Sequence, residues 1–262
     1  MSKEEEIKNF IISLGVDDVG FADICEYNSP LSDDAATFLE GGRSIIVLAS
    51  KVLSSCESSH WSVGVNGYQV LEEFLGAATY RTARFLETKY DARVAVLPHS
   101  FPFEMRIAKP AVAEFSQRHA AVAAGLGSLG RNNLVIHPKF GARVNFSSII
   151  TDLELQPSPK PQNDVCLHCG ICVKNCPVHA LDEEGRTDVR KCMSNCLPNG
   201  DVGSIRFWLE VLQSPPEKQK ELLLSERYLR LRQAHHLGNQ YMCFNCIKSC
   251  PIGLKKRSGM PL

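Results

Sequence analysis

The sequence predicts an α+β chain in two parts, a mixed α/β domain over residues 1–155 and a cysteine-rich domain over residues 156–262 that contains a helical insertion. Three observations predict it. Residues 1–155 alternate segments of helical apolar spacing with short apolar runs of strand length. The stretch QPSPKPQN that follows Leu155 holds three prolines in eight residues; fixed φ and missing donors favour an extended connector there. Nine of the eleven cysteines lie after residue 165, at tight spacings.

The elements follow in order. SKEEEIKNFIISLG places Ile7, Phe10, Ile11 and Leu14 on one helical face, and Gly15 stops the helix. VGFADI and SIIVLAS, the latter from Ser44 to Ser50, read as strands, the second apolar enough to be central. A long helix is predicted from Tyr68 to Tyr90, with Leu71, Phe74, Leu75, Ala78 and Phe85 facing the core, and ARVAVLP returns as a short strand. Beyond the connector, GSIRFWLEVLQS and EKQKELLLSERYLRLRQAHHLG read as two helices separated by Pro215 and Pro216, inserted between groups of cysteines.

Hydrophobic content of 44% and charged content of 22% are those of an ordinary globular protein. A formal net charge of zero gives no broad electrostatic footprint, so neither nucleic acid nor an anionic membrane is expected as a partner. No apolar run approaches the ~20 residues needed to span a bilayer. The start MSKEEEIKNF is acidic and amphipathic rather than signal-like, so the expected compartment is the cytoplasm. In a reducing compartment tightly spaced thiols point to metal ligation, not disulfides. Cys25 and Cys56 stand alone and read as incidental or buried thiols.

CLHCGICVKNCP, from Cys166 to Pro177, is a C-x2-C-x2-C-x3-C-P run, the ligand pattern of bacterial two-cluster proteins in which the fourth cysteine serves the other cluster. CFNCIKSCP, from Cys243 to Pro251, is a shorter C-x2-C-x3-C-P run. With last cysteines exchanged, one [4Fe–4S] cluster takes Cys166, Cys169, Cys172 and Cys250. The other takes Cys176, Cys243 and Cys246, and needs one thiol from KCMSNCLPNG, which offers Cys192 and Cys196. Structural zinc is the alternative for such thiols, but the x2, x2, x3-C-P spacing fits the cluster pattern better.

In the first part, AVAAGLGSLG begins as a helix and breaks into Gly125, Gly127 and Gly130. Its G-x-G-x-x-G follows a helix-like run rather than a strand, which argues against a dinucleotide site and leaves ligand binding and a helix-ending loop both open. Proton-donor candidates are Glu104, beside Arg106 in SFPFEMR, and His119 at the entry to the glycine loop; His137, before Pro138, reads as a turn residue.

AGLGSLGRNNLVIHPKFG, then TDLEL, then the two cysteine runs, resembles the epoxyqueuosine reductase and reductive dehalogenase superfamily over roughly residues 110–252. The resemblance implies a nitroreductase-related α/β domain of the cobalamin type, followed by a ferredoxin-like domain with two [4Fe–4S] clusters. It implies that Gly125, Gly127, Gly130, Arg131, Asn132 and the strand Asn145 to Ser148, with Ser147, line a corrinoid. The family's spacing to its isolated cysteine favours Cys192 as the fourth ligand of the second cluster and leaves Cys196 over. Two features depart from epoxyqueuosine reductases: Pro110-Ala111 stands where their Val-Asp proton donor falls, and the C-terminal helical repeats that hold tRNA are not in this sequence.

Two functions follow. The chain could be an oxidoreductase that takes electrons from reduced ferredoxin or flavodoxin, passes them through two clusters to bound cobalamin, and cleaves a small substrate reductively; FMN is the alternative organic cofactor. Or it is an electron-transfer protein that reduces a corrinoid or flavin held by a partner protein.

Overall fold

A computed structural model of the chain describes residues 1–98, 103–104, 112–237 and 243–254. Helix α1 (Lys3–Ser13) opens with a capping box, in which the Ser2 hydroxyl accepts from the Glu5 amide and the Glu5 carboxylate accepts from the Ser2 amide. It buries Ile7 and Ile11. Strands β1 (Asp18–Asp23) and β2 (Ser44–Lys51) follow. Helix α2 (Trp61–Tyr90) begins ahead of the predicted Tyr68, because Gly64 and Gly67 weaken the helical signal of its first turns. Gly67 is required there: a Cβ would lie 2.5 Å from the Ser55 hydroxyl and 3.1 Å from the Cys56 sulfur.

Next come β3 (Val94–Val96), β4 (Phe103–Glu104) paired with β5 (Val112–Ala113), α3 (Gln117–Ala123), β6 (Ser128–Leu129) paired with β7 (Val135–Ile136), and β8 (Val144–Thr151). The main sheet has the order β1-β2-β8-β3 and every pairing in it is antiparallel. As predicted, Ser44–Ser50 is central, and those seven residues are buried. One face of the sheet, with Val19, Ile46, Leu48 and Ile149, packs with Ile7 and Ile11 of α1 and with Leu71, Leu75 and Leu86 of α2. The other, with Ile45, Val47, Phe146 and Ile150, packs with Ala120, Ala121 and Ala123 of α3.

The connector does not hang free. Ser158 lies along the open edge of β1: its amide donates to the Phe21 carbonyl at 2.8 Å and its hydroxyl accepts from the Phe21 amide at 2.9 Å. Beyond it come α4 (Ile171–Lys174), α5 (Val189–Cys196), α6 (Asp201–Gln213), α7 (Pro216–Leu223), α8 (Glu226–Leu237) and α9 (Asn245–Ser249). The second predicted insertion helix is two helices, because the Ser225 hydroxyl accepts from the Tyr228 amide and starts α8 afresh. Phe207, Val211, Leu222 and Leu231 give the insertion its own small core. Helix α5 is not apparent in the sequence; Asp188 caps it, its carboxylate accepting from the Lys191 amide at 3.0 Å.

Candidate metal centres

Cys166, Cys169, Cys172 and Cys250, the four thiols predicted to share one centre, line a single small cavity. Three come from the first cysteine loop and the fourth from the end of the second. The two loops face each other: α4 packs on α9, and the Asn175 amide group donates to the Ser249 hydroxyl at 3.0 Å. Four thiols gathered in one lining, without a carboxylate among them, suit soft metals and clusters better than a hard cation.

Cys192, Cys196, Cys243 and Cys246 gather about α5 and the start of the second loop. Burial pushes the Cys246 thiol up to about 12, with Cys243, Cys192 and Cys172 adding to the rise. The buried Cys196 hydrogen-bonds Cys192, which holds the Cys196 thiol far above its ordinary value and lowers Cys192 to about 7; Cys243 also lies within electrostatic range of Cys196. Thiols crowded this way cannot all ionise without a cation among them. Cys176 stands in the turn after α4, where its sulfur accepts from the Ala180 amide at 3.2 Å. A second, open cavity is lined by Cys243, Phe244, Asn245 and Lys248 with Ser58, Gly64, Pro177 and Asn195.

The segment from Gly125 to Arg143 is what the α/β part presents to both loops. The Ser128 hydroxyl donates to Asp164 and accepts from the Val165 amide, and Asp164 in turn accepts from the Cys166 amide at 3.0 Å. Arg131 pairs with Glu183, and Arg131 and Asn132 line the four-thiol cavity. The turn His137–Gly141 meets the second loop so closely that a Cβ on Gly141 would sit 2.1 Å from the Ile252 carbonyl oxygen, and one on Gly253 2.4 Å from the Phe140 carbonyl carbon. His137 holds that turn, as expected: buried and stacked on Phe140, it accepts from the Lys139 amide and faces Asp18 at 3.4 Å.

Two residues that sequence reasoning did not single out complete this contact. Arg143, only 6% exposed, donates to the carbonyls of Lys248 and Cys250 at 2.8 Å each and of Ile252 at 3.4 Å, and its Nε pairs with Glu57 at 2.5 Å. Tyr68 packs its ring against Phe244 and its hydroxyl accepts from Asn145 Nδ2 at 3.1 Å. An arginine between a glycine turn and a strand carries no motif, and Tyr68 read as one more residue of a long helix.

The other predicted residues sit as follows. Missing side chains at Gly125, Gly127 and Gly130 are required by the protein itself: a Cβ there would meet the Pro159 carbonyl at 2.5 Å, the Ile136 carbonyl at 2.3 Å and the Ile136 side chain at 2.6 Å. Ser147 and Ser148 are buried and point to opposite faces of the sheet, Ser147 accepting from Thr79 at 2.9 Å and Ser148 donating to Gln117 at 2.6 Å. His119 is half-buried with its ring on the Ser116 hydroxyl at 2.7 Å; burial, then the charge of Arg118, keep its pKa below the ordinary histidine value. Glu104 is in β4, and Arg106, Pro110 and Ala111 lie outside the described residues.

Residues 159–182 match the 4Fe-4S binding domain family. An epoxyqueuosine reductase of Listeria monocytogenes is 37% identical over 81 residues, 31% of this chain and 21% of that protein. A tetrachloroethene reductive dehalogenase of Desulfitobacterium hafniense is 44% identical over 68 residues, 24% of this chain and 12% of that one. The fold matches the structure of epoxyqueuosine reductase from Streptococcus thermophilus with a TM-score of 0.60 at 18% identity, over 97% of this chain and 66% of that one. The chain is thus similar in sequence, over part of its length, to epoxyqueuosine reductases and a reductive dehalogenase, and similar in fold to epoxyqueuosine reductase. The match spans about a fifth or less of the length of these two curated relatives. Within the superfamily fold, another epoxyqueuosine reductase structure, with a TM-score of 0.59 at 21% identity, holds a tRNA stem loop. The expectation that nucleic acid is excluded is therefore not borne out: net charge averages over a whole surface, and a zero sum does not exclude an RNA-binding face. Among the described residues no helix is long and apolar enough to cross a membrane.

Proposed function

We propose that the chain carries two [4Fe–4S] clusters and conducts single electrons from a reduced ferredoxin or flavodoxin to a corrinoid. The observation that supports this is the one cavity that Cys166, Cys169, Cys172 and Cys250 line together, thiols from two distant loops whose spacing is that of exchanged cluster ligands. Cys176, Cys192, Cys243 and Cys246 hold the second cluster, and Cys196 is the spare thiol beside Cys192. When bound, the clusters supply one-electron transfer, which needs an acceptor to perform two-electron chemistry. The α/β part, over residues 1–155, positions both cysteine loops through Ser128, Arg131, Asn132 and Arg143.

The superfamily's cobalamin is the proposed acceptor; FMN is the alternative. The residues assigned to it by resemblance fit it poorly as a set. The three glycines are filled by protein, Ser147 and Ser148 are paired within the core, and Arg131 and Asn132 face the four-thiol cavity. That observation favours the second reading, in which a partner protein holds the corrinoid and this chain delivers electrons to it. Anaerobically purified, iron-replete protein titrated with cob(II)alamin separates the two. Micromolar binding with a shift in the corrinoid spectrum supports a bound cofactor. No binding, with reduction of a partner corrinoid protein only when this chain is present, supports the delivery role. Colourless, zinc-replete protein sinks both.

A further inference from the structure

Arg143 does more than bridge the two parts of the chain. Its backbone is fixed at the start of β8, its amide donating to the Phe140 carbonyl at 3.1 Å and its carbonyl accepting from the Val52 amide at 3.0 Å. Its guanidinium is spent on three carbonyls of one short loop, those of Lys248, Cys250 and Ile252, with Glu57 closing the fourth direction. The middle carbonyl belongs to Cys250, the one thiol of the four-thiol cavity that is not on the first loop. Guanidinium donors in a rigid fork hold a set of acceptors in register in a way that a lysine ammonium cannot. The loop is also held by the close backbone contacts of Gly141 and Gly253, by the Asn175–Ser249 hydrogen bond and by the burial of Phe244 and Ile247.

We propose that Arg143 is the positioning residue for the fourth ligand of the first cluster, holding Cys250 against the centre formed by Cys166, Cys169 and Cys172. This rests on the two-cluster reading given above. Loss of the fork leaves that cluster held by three thiolates, with one iron labile. Oxidation by one electron, supplied to ferricyanide, then releases that iron as Fe2+ and converts [4Fe–4S]2+ to [3Fe–4S]+, whose unpaired spin is visible by electron paramagnetic resonance.

The test uses full-length, anaerobically reconstituted holoprotein, with Cys250→Ala as the benchmark for a missing fourth ligand. Arg143→Gln, which removes the guanidinium's hold on all three carbonyls, is expected to raise the [3Fe–4S]+ signal after mild oxidation about tenfold over wild type. The signal of the second cluster and the far-ultraviolet circular dichroism should stay unchanged. Arg143→Lys should fall between. Glu57→Gln, which keeps the three carbonyl bonds, should behave as wild type. Arg143→Gln with wild-type iron and no [3Fe–4S]+ overturns the proposal, as does loss of both clusters together, which marks a general structural role. Should Arg143→Gln not fold, Arg143→Lys decides, and wild-type behaviour there overturns the proposal. A Cys250→Ala protein that retains an intact first cluster overturns the ligand assignment itself, and this proposal with it.

Discussion

The carbonyl oxygen of Ile252 lies 2.1 Å from where a Cβ on Gly141 would be, so a turn of the α/β part and a loop of the cysteine-rich part touch backbone to backbone. Gly141 also has φ of +60°. Gly141→Ala is expected to lower stability by about 1–3 kcal/mol, since it adds a left-handed alanine to a contact that only backbone can yield to. Urea unfolding of the reconstituted protein measures this, and an alanine variant as stable as wild type contradicts the contact.

Iron content divides the cysteines into ligands and bystanders. Two [4Fe–4S] clusters correspond to about eight irons per chain. Cys192→Ala is expected to lower the iron content of the second cluster, whereas Cys196→Ala and Cys25→Ala keep the full complement. A Cys196→Ala protein that loses the second cluster while Cys192→Ala keeps it reverses the assignment.

The Asp18–His137 pair sets an acid limit. The hydrogen bond from His137 holds the Asp18 carboxyl well below the usual carboxylate range, so the folded state binds its proton less readily than the unfolded state does. Its stabilising contribution is present above the ordinary value of 3.8 and is lost as pH falls below it toward the folded value. Asp18→Asn should therefore lose stability at pH 7 and flatten the decline of melting temperature below about pH 4. A wild-type slope retained in Asp18→Asn counts against the pair.

Arg131 lines the four-thiol cavity with a half-buried guanidinium paired to the more exposed Glu183. Arg131→Gln removes a positive charge beside the proposed first cluster and is expected to lower its reduction potential by on the order of tens of millivolts, a screened charge acting over several ångströms. Potentiometric titration followed by paramagnetic resonance reads it. An unchanged potential places Arg131 too far from the metal to matter.

Much of this was legible in the sequence because it is written in short-range spacing. The strand Ser44–Ser50 is a continuous apolar run and sits at the centre of the sheet. The x2, x2, x3 spacing of the first cysteine run, with the shorter second run, named the four thiols that line one cavity. What escaped depends on long-range contact. Arg143 acquires its meaning only when the second loop folds back onto it, and Ser225 divides an otherwise continuous helical pattern with one side-chain cap. The glycines of AGLGSLG left a ligand site and a helix-ending loop equally open in the sequence, and what crowds them is the protein itself, the Pro159 and Ile136 carbonyls and the Ile136 side chain.

The prolines of QPSPKPQN read as a tether, yet Ser158 pairs with Phe21 on the unpartnered side of β1. An open strand edge invites another chain to add itself. The connector is thus a guard strand in miniature, and replacing it with a flexible glycine–serine linker should show as chain-to-chain association, seen by light scattering, before it shows as any separation of the two parts.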